Sequence, residues 1–332
     1  MRALRLVVTG EPLRVEDVEL EPLGADDVTV AVAAAGICRS DVHYRAGTRA
    51  VARLPLTPGH EIAGTVVEVG SEVRRVSPGD RVAVHYQVSC GRCGQCSQGR
   101  EQFCSTGAMI GLSRDGGYAE AVVVPERNTV PLPETISFAA GAIMMCSSVT
   151  SLHALRRGGL APGERVAVFG CGGLGVSAIK LAFTLGASVV YGVDVTDEKL
   201  QIAAGLGARP VPFSDAATVR ADVALELVGL PETMRAAVDC LGVHGRAVAV
   251  GITHEPFSLD SFADLVLREA QIIGAADHTA AEVEELIDMA ARGAFDVADA
   301  VTATVALDAA AVNDAMDRLA AFQGGVRTVI TP

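Results

Sequence analysis

Four cysteines crowd into fifteen residues, at Cys90, Cys93, Cys96 and Cys104, with the spacing C-x2-C-x2-C-x7-C. The loop between them is rich in glycine and polar residues, so the chain can fold its sulfurs around one ion. Four thiolates form a closed, tetrahedral zinc site, which leaves no position for a substrate and therefore serves structure. An iron–sulfur cluster on the same soft ligands and a disulfide pair are the rival readings. The other four cysteines are dispersed. Cys38 lies in Gly36-Ile37-Cys38-Arg39-Ser40-Asp41-Val42-His43, Cys146 follows the apolar Ala142-Ile143-Met144-Met145, Cys171 sits in a glycine loop, and Cys240 closes an amphipathic helix. Taken singly, Cys146 and Cys240 read as small buried hydrophobes.

A second cluster points to phosphate chemistry. Gly170-Cys171-Gly172-Gly173-Leu174-Gly175 is a G-x-G-x-x-G that follows an apolar strand and opens a helix, and Asp194 ends the next strand. In that context Gly170, Gly172, Gly173, Leu174 and Gly175 form a dinucleotide-binding turn, with pyrophosphate at the helix N-terminus. Asp194 would accept hydrogen bonds from the adenosine ribose and repel a 2′-phosphate, which favours NAD over NADP. FAD is the rival ligand, disfavoured because the motif lies in the middle of the chain.

These residues need scaffolds. Strands and helices alternate from about residue 150: strands at 165–170, 188–195, 222–228, 245–252 and 271–275, and helices at 174–185, 197–206, 232–241 and 259–268. Apolar strands alternating with helices predict a doubly wound parallel sheet. Before residue 150, short segments such as 28–32, 64–69, 80–84 and 119–124, broken by Gly and Pro, predict a mostly antiparallel domain. From about residue 280 the order is helix, strand, helix, strand. Across 332 residues, half are hydrophobic and 20% charged, which excludes a disordered chain. The balance of 27 basic against 40 acidic residues, net −13, argues against a nucleic-acid partner. No apolar run approaches the roughly 18–20 residues that span a bilayer, and no secretory h-region is evident, so the expectation is a cytoplasmic chain without a membrane partner.

With Cys38, His60 and Cys146 added, the chain resembles the zinc-dependent alcohol dehydrogenases of the medium-chain dehydrogenase/reductase superfamily. The resemblance spans nearly the whole chain. It rests on Gly36–His43, Gly59-His60-Glu61, the four-cysteine lobe, Gly79-Asp80-Arg81-Val82, Cys146, the glycine loop and Val326-Arg327-Thr328-Val329-Ile330. It implies an α/β protein with a mostly β, GroES-like catalytic domain (1–148 and 278–332) carrying the zinc lobe, and a Rossmann NAD-binding domain (149–277). It also implies two zinc ions per chain, one structural and one catalytic, the latter on Cys38, His60 and Cys146. Asp41 would orient His60, Glu61 would be a carboxylate able to approach the metal, and Ser40 and His43 would relay a proton. Arg39 and Arg327 would meet the cofactor pyrophosphate, and Tyr86 would face the substrate. Without the resemblance, Ser40 reads as a helix N-cap, His43 as a surface histidine, Arg39 as an exposed charge and Glu61 as a strand-end carboxylate.

The implied activity is hydride transfer between NAD and a primary or secondary alcohol, giving an aldehyde or ketone, in a homodimer or homotetramer. Cys146 in Met144-Met145-Cys146-Ser147 stands where the polyol and threonine dehydrogenases of the superfamily carry Glu, which favours the alcohol branch. The rivals are a biosynthetic carbonyl or C=N/C=C reductase and a catalytically silent zinc- and NAD-binding sensor.

Overall fold

The computed structural model describes all 332 residues, Met1–Pro332. They form two compact units, one of Met1–Cys146, Thr279–Gly293 and Val297–Pro332, the other of Ser147–His278 with Ala294–Asp296.

The first unit is built on a seven-stranded sheet whose centre is the long strand Asp27–Gly36. Its alternating small and β-branched residues bury almost its whole length, as expected of a central strand. Strand Glu61–Val69 pairs with it antiparallel, with Glu61 opposite Gly36, and so does the last strand, Arg327–Thr331, with Val329 opposite Gly36. Three distant segments thus meet at the carboxyl end of one strand. Gly36 makes this possible, because a Cβ there would fall 1.9 Å from a Glu61 carboxylate oxygen. Helix Arg39–Ala46 begins just beyond it. Its N-cap is Cys38, not Ser40, with Asp41 at the third helical position accepting from the Cys38 N–H.

The second unit holds a six-stranded sheet, parallel at every pairing, in the order Arg209–Pro212, Val189–Asp194, Arg165–Phe169, Ala221–Glu226, Leu241–Ala249, Gln271–Gly274. In chain order this is 3-2-1-4-5-6, the doubly wound topology with its switch point beside Arg165–Phe169. Strand Arg209–Pro212 goes unread in the sequence because it carries two prolines. It lies at the sheet edge, where the missing N–H groups cost no ladder bond.

One expectation needs correction. The helix expected over 259–268 is a π turn, Ser261–Leu265, followed by a 3-10 turn, Val266–Arg268. Asp260 caps it, and Asp264 is bound by Arg235 of helix Pro231–Asp239, so tertiary ion pairing overrides helix propensity there. No uninterrupted apolar run reaches bilayer length, but small and polar residues join one into a longer helix. Phe138–Arg157 is one continuous 20-residue helical segment, apolar and long enough to cross a membrane by length and composition. Within it, 83% of the apolar window is buried, which makes it a core helix.

Candidate metal centre and active site

Cys38, His60, Glu61 and Cys146 are all buried, and one donor atom from each lies within 4.8 Å of the others. The sheet brings the first three together, as described above. Cys146 arrives on the π turn Met144–Ser148 inside the core helix. The extra residue in such a turn re-aims a side chain that a regular helix would point elsewhere.

The donor set fits a metal ion. The sulfurs of Cys38 and Cys146 stand 3.9 Å apart. Two ligands at about 2.3 Å from a tetrahedral zinc are separated by about 3.8 Å, whereas a disulfide needs about 2.05 Å. These groups share charge among themselves. A hydrogen bond from the Cys146 thiol holds Cys38 well below its usual value despite burial, and His60 and Arg327 assist. Cys146 is raised correspondingly, by donating that bond and by burial. Burial opposes charge on His60, but the Asp41 carboxylate and the Cys38 sulfur outweigh it and raise the imidazole well above its usual value. Burial pushes the Glu61 carboxyl up to about 7 against the pull of Arg327.

Asp41 Oδ1 faces His60 Nδ1 at 3.3 Å. Its Oδ2 accepts from Cys38 N–H at 3.0 Å and from Tyr118 Oη at 2.9 Å. Tyr118 was not singled out in the sequence. Its one signal is an aromatic residue with a polar tip directly after Gly116-Gly117. Ser40 and His43 share one face of helix Arg39–Ala46, being three residues apart. His43 Nδ1 is 3.0 Å from Thr48 Oγ1, and partial burial with nearby Arg39 lowers its pKa, so the ring is neutral at neutral pH.

Two positions differ from expectation. Arg327, expected at the cofactor phosphates, is only 5% exposed and pairs directly with Glu61, so its charge is committed beside the metal donors. Tyr86, expected to face substrate, is buried and packs edge-on against the His60 ring, with centroids 5.1 Å apart. Arg39 is half-buried, donates to Leu319 O at 3.0 Å and stacks 3.8 Å over Phe322.

In the four-cysteine lobe, the sulfur separations are 3.9 Å for Cys90–Cys96, 3.5 Å for Cys93–Cys96 and 3.9 Å for Cys93–Cys104. These are too long for disulfides and match one tetrahedral ion. A multi-iron cluster, whose own atoms sit between the thiolates, needs wider spacing.

The glycine loop fits a dinucleotide. Gly170 has φ +90°, which permits the tight turn, and a side chain on Gly172 would meet nothing, so the backbone there is open to approach. Gly172 is also the N-cap of helix Gly173–Thr184, with no side chain capping its first N–H groups. Asp194 holds the loop, its Oδ2 accepting from Cys171 N–H at 2.9 Å and its Oδ1 from Val195 N–H at 2.8 Å. A Cβ on Gly175 would lie 2.0 Å from Gly170 O. Gly175→Ala is therefore expected to force helix and turn apart. NADH affinity, followed by nucleotide fluorescence, should fall about tenfold or more, equivalent to about 1.4 kcal/mol. Unchanged affinity would mean the turn is not the nucleotide site.

Residues 24–134 match the alcohol dehydrogenase GroES-like domain family, and residues 173–292 match the zinc-binding dehydrogenase family. The chain is 35% identical to an NAD-dependent alcohol dehydrogenase of Sulfurisphaera tokodaii, over all of both chains. It is 34% identical to an NADP-dependent alcohol dehydrogenase C of Mycolicibacterium smegmatis, over 85% of each. Among solved structures, the alcohol dehydrogenase of the archaeon Aeropyrum pernix superposes with a TM-score of 0.90 at 30% identity, over all of both chains.

Proposed function

The chain belongs to the zinc-dependent alcohol dehydrogenases of the medium-chain dehydrogenase/reductase superfamily, and on that premise we propose that it passes hydride between a primary or secondary alcohol and NAD, interconverting the alcohol with an aldehyde or ketone. The observation that carries this reading is the buried set of two sulfurs and one imidazole spaced for a single ion. Three protein ligands leave a zinc coordination position for substrate, unlike the four-thiolate lobe. When bound, zinc supplies a Lewis acid and NAD the hydride acceptor.

The chain's own residues do the rest. Cys38, His60 and Cys146 hold the metal, and Asp41, facing Nδ1, leaves Nε2 as the ligating nitrogen of His60. Glu61 keeps Oε1 without a hydrogen-bond partner while Arg327 holds the carboxylate, which leaves it able to approach the donors' centre. Ser40 takes the alcohol proton and His43, neutral and partly exposed, delivers it to solvent. The N-terminal amides of helix Gly173–Thr184 bind pyrophosphate. Asp194 selects NAD by bonding to ribose hydroxyls and disfavouring a 2′-phosphate.

The test follows NADH absorbance with zinc-loaded protein, NAD and a panel of primary, secondary, allylic and aromatic alcohols, repeated with NADP. Turnover is expected with NAD and a lower rate with NADP. Silence across the panel, in protein holding two zincs per chain, would overturn the alcohol reading. Asp194→Gly combined with Val195→Arg should raise the NADP to NAD ratio of kcat/KM. An unmoved ratio would remove Asp194 as the selector.

A further inference from the structure

We propose that Tyr118 is a positioning residue for the metal centre, fixing the Asp41 carboxylate and through it the His60 ring. The inference rests on the reading of Cys38, His60 and Cys146 as zinc ligands. Tyr118 is fully buried, and its hydroxyl donates to Asp41 Oδ2 at 2.9 Å, with Gly36 O at 3.4 Å as a weaker neighbour. The same Asp41 oxygen accepts the Cys38 N–H at 3.0 Å. Two donors on Oδ2 hold the carboxylate with Oδ1 3.3 Å from His60 Nδ1. Remove the hydroxyl, and only the Cys38 N–H restrains the carboxylate.

The ring is as constrained as the hydroxyl. A Cβ on Gly59 would fall 2.3 Å from Tyr118 Cδ1, so the ring lies directly against the residue before His60. Gly59 has φ +95°, a conformation that other residues adopt only with strain. Backbone bonds lock this contact, from Tyr118 N–H to Pro58 O at 3.1 Å and from Gly117 N–H to Gly59 O at 2.8 Å. Tyr118 therefore bears on His60 from two sides, through Gly59 and through Asp41. Its ring sets the turn that carries His60, and its hydroxyl sets the carboxylate that orients the imidazole. Phenylalanine keeps the first contact and deletes the second.

The experiment uses zinc-loaded enzyme and follows release of zinc to a chromogenic chelator, with the four-cysteine zinc as internal reference. Tyr118→Phe is expected to speed release of one zinc about tenfold, at the low end of what outer partners of metal ligands contribute, and to leave the other unchanged. Cobalt substituted for the labile zinc should show shifted visible bands, because the imidazole is less firmly oriented. Tyr44→Phe is the control. Tyr44 is equally buried, but its hydroxyl faces only the Met109 sulfur, at 3.9 Å, so both zincs should behave as in the wild type. The proposal is overturned if Tyr118→Phe matches wild type in release and spectrum, or if it loosens both zincs together as a general loss of stability would. Cys38→Ser separates the underlying reading. If that variant still holds two zincs per chain, the ligand assignment fails and the role of Tyr118 fails with it.

Discussion

Cys38→Ser is expected to lower turnover about a thousandfold or more, equivalent to about 4 kcal/mol of transition-state stabilisation, in a protein that still folds. A serine hydroxyl is a weak, neutral zinc ligand where a thiolate is strong and anionic. The substitution also removes the anion that, with Cys146, balances the metal charge in a buried site. Side-chain size barely changes, so the core cost is small. The glycine loop and Asp194 belong to the other compact unit, so NADH should bind with near wild-type affinity. The four-cysteine zinc should remain, and metal content should fall from two ions per chain to one. Full activity in this variant, with its metal content measured alongside, would refute Cys38 as a ligand.

The second large effect falls on stability. Arg327→Met should destabilise the protein by about 3–5 kcal/mol, the range found when one partner of a buried ion pair is removed. Glu61 is wholly buried and Arg327 nearly so, so without the guanidinium the carboxyl, already raised to about 7, must take up a proton or stay charged away from solvent. The neighbouring Cys38 sulfur adds repulsion. Adding Glu61→Gln to Arg327→Met removes the unpaired charge, and the double variant should regain most of the lost stability. Denaturant unfolding of the four proteins measures the coupling. Additive losses would mean the two side chains act independently and the pair does not neutralise the site.

The extent to which these features were legible depends on how local their causes are. The repeating strand–helix pattern after residue 150 reads well because each element carries its own periodicity and each turn its own glycine. Strand Arg209–Pro212 escapes because its prolines are tolerable only at a sheet edge, and edge position is a property of the whole sheet. Residues 259–268 look helical in composition, yet Arg235 on another helix holds Asp264 and dictates two tighter and wider turns instead. The long helical segment Phe138–Arg157 hides in the sequence because its apolar residues are interrupted by small and polar ones that only packing makes continuous.

Two things were determined by the sequence alone. The four cysteines sit so close along the chain that a short loop can bring them to one ion, and the glycine loop carries its turn, its backbone opening and its helix start within six residues. The tertiary structure decided the rest. Cys38, His60 and Cys146 converge only because two strands pair at Gly36 and a π turn re-aims a helix. Arg327 meets Glu61, and Tyr118 meets Asp41, through strand pairing and backbone bonding between segments remote in the chain. Spacing can specify chemistry when the loop that closes it is short, since the chain itself holds the groups together. Across long separations the groups meet only where a packed sheet repays the entropy of closing the loop.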